Sequence, residues 1–248
     1  MMKRTELVMG MPVIVEIADA HADSAALGSV FEYFRYVDEK FSTYKSDSEI
    51  SKINRHALPE QDWSADMREV FRLAEKTKLQ TENYFDIRKP DGQYDPSGLV
   101  KGWAIRNAAR LLRAEGFRNF YINAGGDIET SGSAEHGAPW TVGIKNPFNT
   151  GEIVKVLEIG NGGIATSGNY LRGNHIYNPK EKEEKLEEVS SLTVIGPDIY
   201  EADRFATAAF AMGKSGIVFI ESLPGFEGYM IDCTGMATMT SGFERYAK

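Results

Sequence analysis

The sequence has one cysteine, Cys233, in 248 residues. An internal disulfide is therefore excluded, and no paired Cys or His spacing offers a zinc site. Cys233 closes a strand-like run that starts at Gly228, which predicts a buried, inert thiol. Long hydrophobic runs are also missing: no window reaches the roughly 20 apolar residues of a membrane-spanning helix. The opening residues, MMKRTELVMGMPVIVEI, carry basic side chains but no continuous apolar stretch and no lipid-modifiable cysteine. The expectation is a cytoplasmic location and no membrane span. Basic charge is in deficit, with 28 Lys and Arg against 36 Asp and Glu and a formal net charge of −8. That argues against nucleic acid as a partner, which needs a basic face. An anionic ligand would need local help from a metal, a lysine or helix N-termini.

The common nucleotide and nucleophile signatures are absent as well. Gly213-Lys-Ser has the end of a phosphate-binding loop, but the glycine required five residues earlier is Ala208, so Gly213 reads as a helix cap. Neither a dinucleotide GxGxxG nor a serine elbow GxSxG occurs.

What is present is a hydrophobic fraction of 42% and a charged fraction of 26%, ordinary for a globular chain that builds its own core. Met11 to Ile17 alternates apolar and polar residues and predicts a strand. From 25 to 41 the apolar residues Leu27, Val30, Phe31, Phe34, Val37 and Phe41 recur at three and four, which predicts a helix. Asp47 or Ser48 is placed to cap a short helix ending near Asn54. Ser64 caps a second amphipathic helix to Gln80, with Met67, Val70, Phe71, Ala74 and Leu79 on one side. A further helix runs from about 97 to 115 with Gly116 as its cap. Strands are predicted over 120–123, 140–144, 154–159, 163–167, 191–195, 229–233 and 237–240. Helices and strands intermix without strict alternation. That pattern predicts an α+β fold, a single domain over 1–248 with mixed or antiparallel strands and packed helices.

Glu201 to Gly213, EADRFATAAFAMG, predicts an Ala-rich helix closed by glycine. Asp203 and Thr207 fall at i and i+4, so a carboxylate and a hydroxyl stand one above the other. Hard cations such as magnesium take oxygen ligands of this kind. The alternative is that Asp203 charges or caps the helix N-terminus and Thr207 packs.

Four more stretches stand out. In Asp95-Pro-Ser-Gly-Leu-Val-Lys-Gly, glycines 98 and 102 allow close backbone approach, and Lys101 projects from a helix start that favours anions, or is a surface lysine. Asn123-Ala-Gly-Gly-Asp is either a tight hairpin turn or an anion-accepting nest of amides. Gly162-Gly-Ile-Ala-Thr-Ser-Gly has backbone open to a ligand or to tight packing. His175-Ile-Tyr-Asn-Pro offers a general base or a structural histidine. The other three histidines sit in polar surroundings.

Taken in order, these stretches resemble the FAD:protein FMN transferase family, the ApbE-like flavin transferases. The matching residues are Met9-Gly, Phe41-Ser-Thr-Tyr with Ser48-Glu-Ile and Asn54, Tyr84-Phe-Asp, Asp95-x-x-Gly-x-x-Lys-Gly, Asn123-x-Gly-Gly-Asp, Gly162-Gly-Ile-Ala-Thr-Ser-Gly, His175 with Pro179, and Ala202-Asp-x-x-x-Thr. They extend from about residue 9 to 213. The resemblance implies a magnesium-dependent enzyme that moves the FMN half of FAD onto a threonine hydroxyl of an acceptor flavoprotein and releases AMP; some members instead hydrolyse FAD. Its pattern places magnesium on Asp203, Thr207 and the carbonyl of Gly98. It places the flavin ring against Met9 and Tyr44, the rest of FAD against Tyr84, Phe85, Asp86, Asp95, Lys101 and Ile176, and activation of the acceptor on His175. Two positions depart from the family pattern: Met11 stands where Thr is common, and Asn178 stands where the family has Asp.

Overall fold

A computed structural model describes residues 1–168, 177–180 and 186–248. Ten strands and six α-helices are seen among them. The strands are β1 (Met2–Val8), β2 (Met11–Ile17), β3 (Phe120–Ala124), β4 (Asp127–Ser131), β5 (Trp140–Lys145), β6 (Ile153–Ile159), β7 (Gly162–Gly168), β8 (Val189–Gly196), β9 (Glu227–Asp232) and β10 (Ala237–Met239). The helices are α1 (Ser24–Phe41), α2 (Glu49–Asn54), α3 (Ala65–Gln80), α4 (Ser97–Ala114), α5 (Ile199–Ala211) and α6 (Gly216–Glu221).

Eight strands form one sheet in the order β1-β2-β3-β4-β7-β8-β9-β10, and β5 and β6 form a separate hairpin. Every pairing is antiparallel. The large sheet is thus a meander, interrupted by four helices between β2 and β3 and two between β8 and β9. The fold is α+β, with antiparallel strands.

Alternation along the strands separates two cores. Val13, Val15 and Ile17 of β2 and Phe120 and Ile122 of β3 face the helices and join the main core with Phe31, Phe34, Trp103 and Phe210. Ile128, Ile164 and Ile195 leave the opposite face and pack with Val142, Leu157 and Phe243 beneath the β5–β6 hairpin.

α5 is buried on nearly every side, and only Glu201 and Thr207 are not fully covered. That explains its alanines: a helix enclosed by α4, β7 and β8 has no room for large side chains all round. Its N-cap is Asp198, whose side chain accepts the Glu201 amide. Asp203 therefore does not cap this helix. A Cβ on Gly163 would stand 2.1 Å from the Ile199 nitrogen, so this glycine of β7 serves close packing against the start of α5.

Several expectations need correction. Cys233 is exposed, because β9 ends at Asp232 and the thiol lies in the turn beyond it. Leu79 is also exposed; Thr77 takes the core position, its hydroxyl donating to the Leu73 carbonyl at 2.8 Å. Ser48, not Asp47, caps α2. Two strands escaped prediction. β1 is an edge strand with only Val8 fully buried, and β4 reads DIETS, with five buried positions and one large apolar residue.

Candidate active site where α4 meets α5

The meander brings the sequence motifs to one end of the sheet. Val13 pairs with Ala124 and Ile128 with Ile164, and Gly168 pairs with Ser191. The β1–β2 turn at Met9-Gly10, the β3–β4 turn at Gly125-Gly126 and the C-terminal end of β7 therefore share an edge. His175 and Ile176 lie outside the described residues.

Both turns are tight. Gly125 and Gly126 have φ of 62° and 104°, and the Gly126 amide donates to Asn123 Oδ1 at 2.9 Å. Asn123-Ala-Gly-Gly-Asp is thus a hairpin turn. The β1–β2 turn holds Met9 at φ 55°, a left-handed conformation that costs a residue with a side chain about 1–2 kcal/mol. Strain of this kind gathers at functional sites. Met11, beyond this turn, is buried.

Asp127 follows the glycine turn and points beneath the helices. Its Oδ2 lies 2.5 Å from Lys101 Nζ, and its Oδ1 accepts the Thr166 amide at 3.1 Å. Lys101 Nζ is also 3.8 Å from Asp203 Oδ1. Asp203 Oδ2 accepts the Gly102 amide at 2.8 Å. A Cβ on Gly102 would stand 2.7 Å from Asp203 Cβ and 2.8 Å from the Ile199 carbonyl, so this glycine opens toward α5 rather than toward a ligand. One turn further along α5, the Thr207 hydroxyl faces the Gly98 carbonyl at 3.4 Å. Lys101, expected on an anion-seeking helix start, sits between two carboxylates. Asp127 is the member of this group that single-residue reading passed over; its signal was the Asp that ends the Asn-x-Gly-Gly-Asp pattern.

Asp203 is almost wholly buried. Burial pushes its carboxyl up from the ordinary range, Lys101 pulls it down, and Asp127 adds to the upward push. A group with two carboxylates around one ammonium attracts a further cation. No set of three His, Cys, Asp or Glu side chains placed to hold a metal occurs among the described residues. The oxygens here are instead one carboxylate, one hydroxyl and one backbone carbonyl. That donor set suits a hard cation such as magnesium and disfavours zinc or copper.

A loop preceding α4 forms the adjoining wall. Phe85 is buried and would touch a Cβ on Gly98 at 3.4 Å. Asp86 binds the Arg88 amide at 2.8 Å and Lys78 at 2.7 Å. Asp95 accepts the Ser97 amide at 3.1 Å and so shapes the entry to α4. Asn54 pairs with the backbone of Tyr94 in both directions, at 2.9 and 2.8 Å. The Tyr177 hydroxyl donates to the Asp86 carbonyl at 2.9 Å, and Lys180 Nζ stands 3.9 Å above the Tyr84 ring centroid. Between these elements opens a cleft of about 480 Å³ bordered by Lys78, Asp86, Arg88, Lys89, Tyr177 and Pro179. Asn178 accepts the Lys180 amide at 3.0 Å, a turn contact that Asp makes equally well. Tyr44 stands apart from these contacts, with 98% of its surface exposed.

The model of the ApbE family matches this chain in two stretches, residues 9–90 and 87–230. The FAD:protein FMN transferase of Vibrio cholerae is 24% identical over 285 residues, covering 91% of this chain and 84% of that protein. That of Haemophilus influenzae is 24% identical over 275 residues, covering 86% and 80%. That of Escherichia coli K12 is 29% identical over 163 residues, covering 62% and 46%. Among solved structures, the flavin transferase ApbE from Vibrio cholerae superposes with a TM-score of 0.87 at 24% identity, covering 99% of this chain and 98% of that one. The ApbE protein of Thermotoga maritima gives 0.87 at 20% identity, covering 100% and 99%. The architecture is therefore that of these proteins, and the chain belongs to the ApbE family.

Proposed function

We propose that this chain is a magnesium-dependent FAD:protein FMN transferase. It moves FMN from FAD onto a threonine hydroxyl of an acceptor flavoprotein and releases AMP. The observation that carries this reading is the meeting of Asp203, Thr207, the Gly98 carbonyl and Lys101 at the edge where the family motifs converge. FAD:protein FMN transferase is also the name of relatives matched over most of the chain.

Asp203, Thr207 and the Gly98 carbonyl would hold the magnesium ion. When bound, the ion neutralises charge on a phosphoryl oxygen and eases departure of AMP. Lys101 supplies a second positive charge beside the diphosphate. Phosphoryl transfer needs alignment and charge neutralisation more than covalent help, so such a site suffices. Tyr84, Phe85, Asp86, Asp95 and Ile176 hold the nucleotide. Met9 and the uncovered ring of Tyr44 take the isoalloxazine, whose flat surface suits a thioether and an aromatic face. His175 accepts the proton of the threonine hydroxyl. The threonine oxygen then bonds to the FMN phosphorus as the bond to the AMP phosphate breaks.

Incubation with FAD and Mg²⁺, with and without an acceptor domain, tests this reading. AMP released only with acceptor, together with flavin fixed to the acceptor threonine, is the expected result. AMP released equally without acceptor would make the protein an FAD pyrophosphatase. Bound FAD with no AMP in either case would make it a non-catalytic flavin-binding protein.

A further inference from the structure

We propose that Asp127 is a positioning residue for this reaction: it holds the Lys101 ammonium off Asp203 and so leaves Asp203 Oδ1 open to a divalent cation. The inference rests on the functional reading above. Asp127 is 2% exposed, and its place is fixed by the glycine turn before it and by the Thr166 amide on β7. Lys101 Nζ lies 2.5 Å from Asp127 but 3.8 Å from Asp203 Oδ1, beyond hydrogen-bond reach. The other oxygen of Asp203 is occupied by the Gly102 amide. An ammonium and a metal ion that approach the same carboxylate oxygen compete for it. Asp127 settles that competition by giving the ammonium a nearer anion.

Neutralising Asp127 removes that nearer anion, and Asp203 becomes the carboxylate left for Lys101. Asp127→Asn keeps the shape and an oxygen for the Thr166 amide but loses the charge. Partners behind a metal ligand are worth about 10–100-fold in metal affinity, so a loss of at least about 10-fold is expected. Because the damage runs through the ammonium, removing the ammonium should repair it. A residue that merely supports the sheet gives no such repair.

The test is a titration with Mn²⁺, followed by loss of the free-ion paramagnetic signal, in the absence of both FAD and acceptor, so that the contact of Lys101 with the diphosphate does not enter. The wild-type protein is expected to show one saturable Mn²⁺ site. Asp127→Asn is expected to bind at least about 10-fold more weakly while still unfolding in one cooperative urea transition. Asp127→Asn combined with Lys101→Met is expected to recover to within about 3-fold of wild type, and Lys101→Met alone to bind no more weakly than wild type. Absence of any Mn²⁺ site in the wild type would overturn the metal reading itself. A wild-type site together with undiminished affinity in Asp127→Asn, or weakened affinity that the double variant does not restore, would overturn the positioning role. Should Asp127→Asn fail to fold, Lys101→Met decides: weaker Mn²⁺ binding there overturns the proposal.

Discussion

Asp127 and Glu129 leave the same face of β4, two residues apart, and both end beneath α4 and α5. Each meets a cation of α4: Asp127 meets Lys101, and Glu129 meets Arg113 at 2.8 Å. The surroundings then diverge. The second oxygen of Glu129 accepts the Ile199 amide at 2.8 Å, so both of its oxygens are bonded and it ties the start of α5 to the sheet. Around Asp127 a second carboxylate, Asp203, shares the same ammonium. One arrangement is closed and balanced. The other sets a second carboxylate, driven toward its neutral form by burial and by Asp127, beside a hydroxyl and a carbonyl, and a cation there would favour its charged form. The comparison separates a strut from a site within two positions of one strand.

The sharpest way to break the comparison is to remove one carboxylate from each arrangement. Asp203→Ala is expected to lower Mg²⁺-dependent AMP release by about 100-fold or more, since even partners behind a ligand are worth 10–100-fold. Its unfolding free energy should fall by about 1–3 kcal/mol, the cost of leaving the buried Gly102 amide without its acceptor, while Lys101 and Asp127 remain as a balanced pair. Urea unfolding beside an AMP assay reads both quantities. A large loss of stability with activity retained would reverse the assignment.

Glu129→Ala is expected to do the opposite. It leaves the Arg113 guanidinium and the Ile199 amide without their shared acceptor, at a cost of about 3 kcal/mol. The half-saturating Mg²⁺ concentration of the protein that remains folded should not move. If that concentration rose as it does for Asp127→Asn, the two carboxylates would belong to one functional unit and the distinction would fail.

Much of this arrangement was legible in the chain, and the remainder had physical reasons to stay hidden. The helix periods of α1 and α3 and the alternation of β2 come from burial on one face, so they survive in a linear reading. The Asp203–Thr207 pair was legible because its spacing is local to one helix. The Lys101–Asp127 pair was not, since 26 positions separate the partners and only the meander unites them. β4 hid because its buried positions are polar and satisfied by partners elsewhere: Asp127 by Lys101, Glu129 by Arg113, Thr130 by the Gly162 carbonyl. β1 hid because its inward positions are charged: Arg4 lies over the Phe31 ring and Glu6 pairs with Arg35 of α1. Cys233 was misplaced because a run of strand-forming residues does not mark where the strand stops.

The smallest effect concerns acidity and tests whether Glu129 is a strut in energetic terms. Burial pushes its carboxyl from 4.5 up to about 7, against the pull of Arg113 and the Ile199 amide. The folded protein therefore binds this proton more tightly than the unfolded chain. The stability that follows is fully present below pH 4.5 and is lost as pH rises through 7. Between those values the slope approaches about 1.4 kcal/mol per pH unit. Glu129→Gln keeps an acceptor for the Ile199 amide and cannot titrate. The difference in unfolding free energy between wild type and Glu129→Gln should shift against the wild type as pH climbs from 5 to 8, while groups common to both proteins cancel. Two curves that stay parallel over that range would mean that Arg113 fully offsets the burial, and that the strut is an ion pair at every pH at which the protein folds.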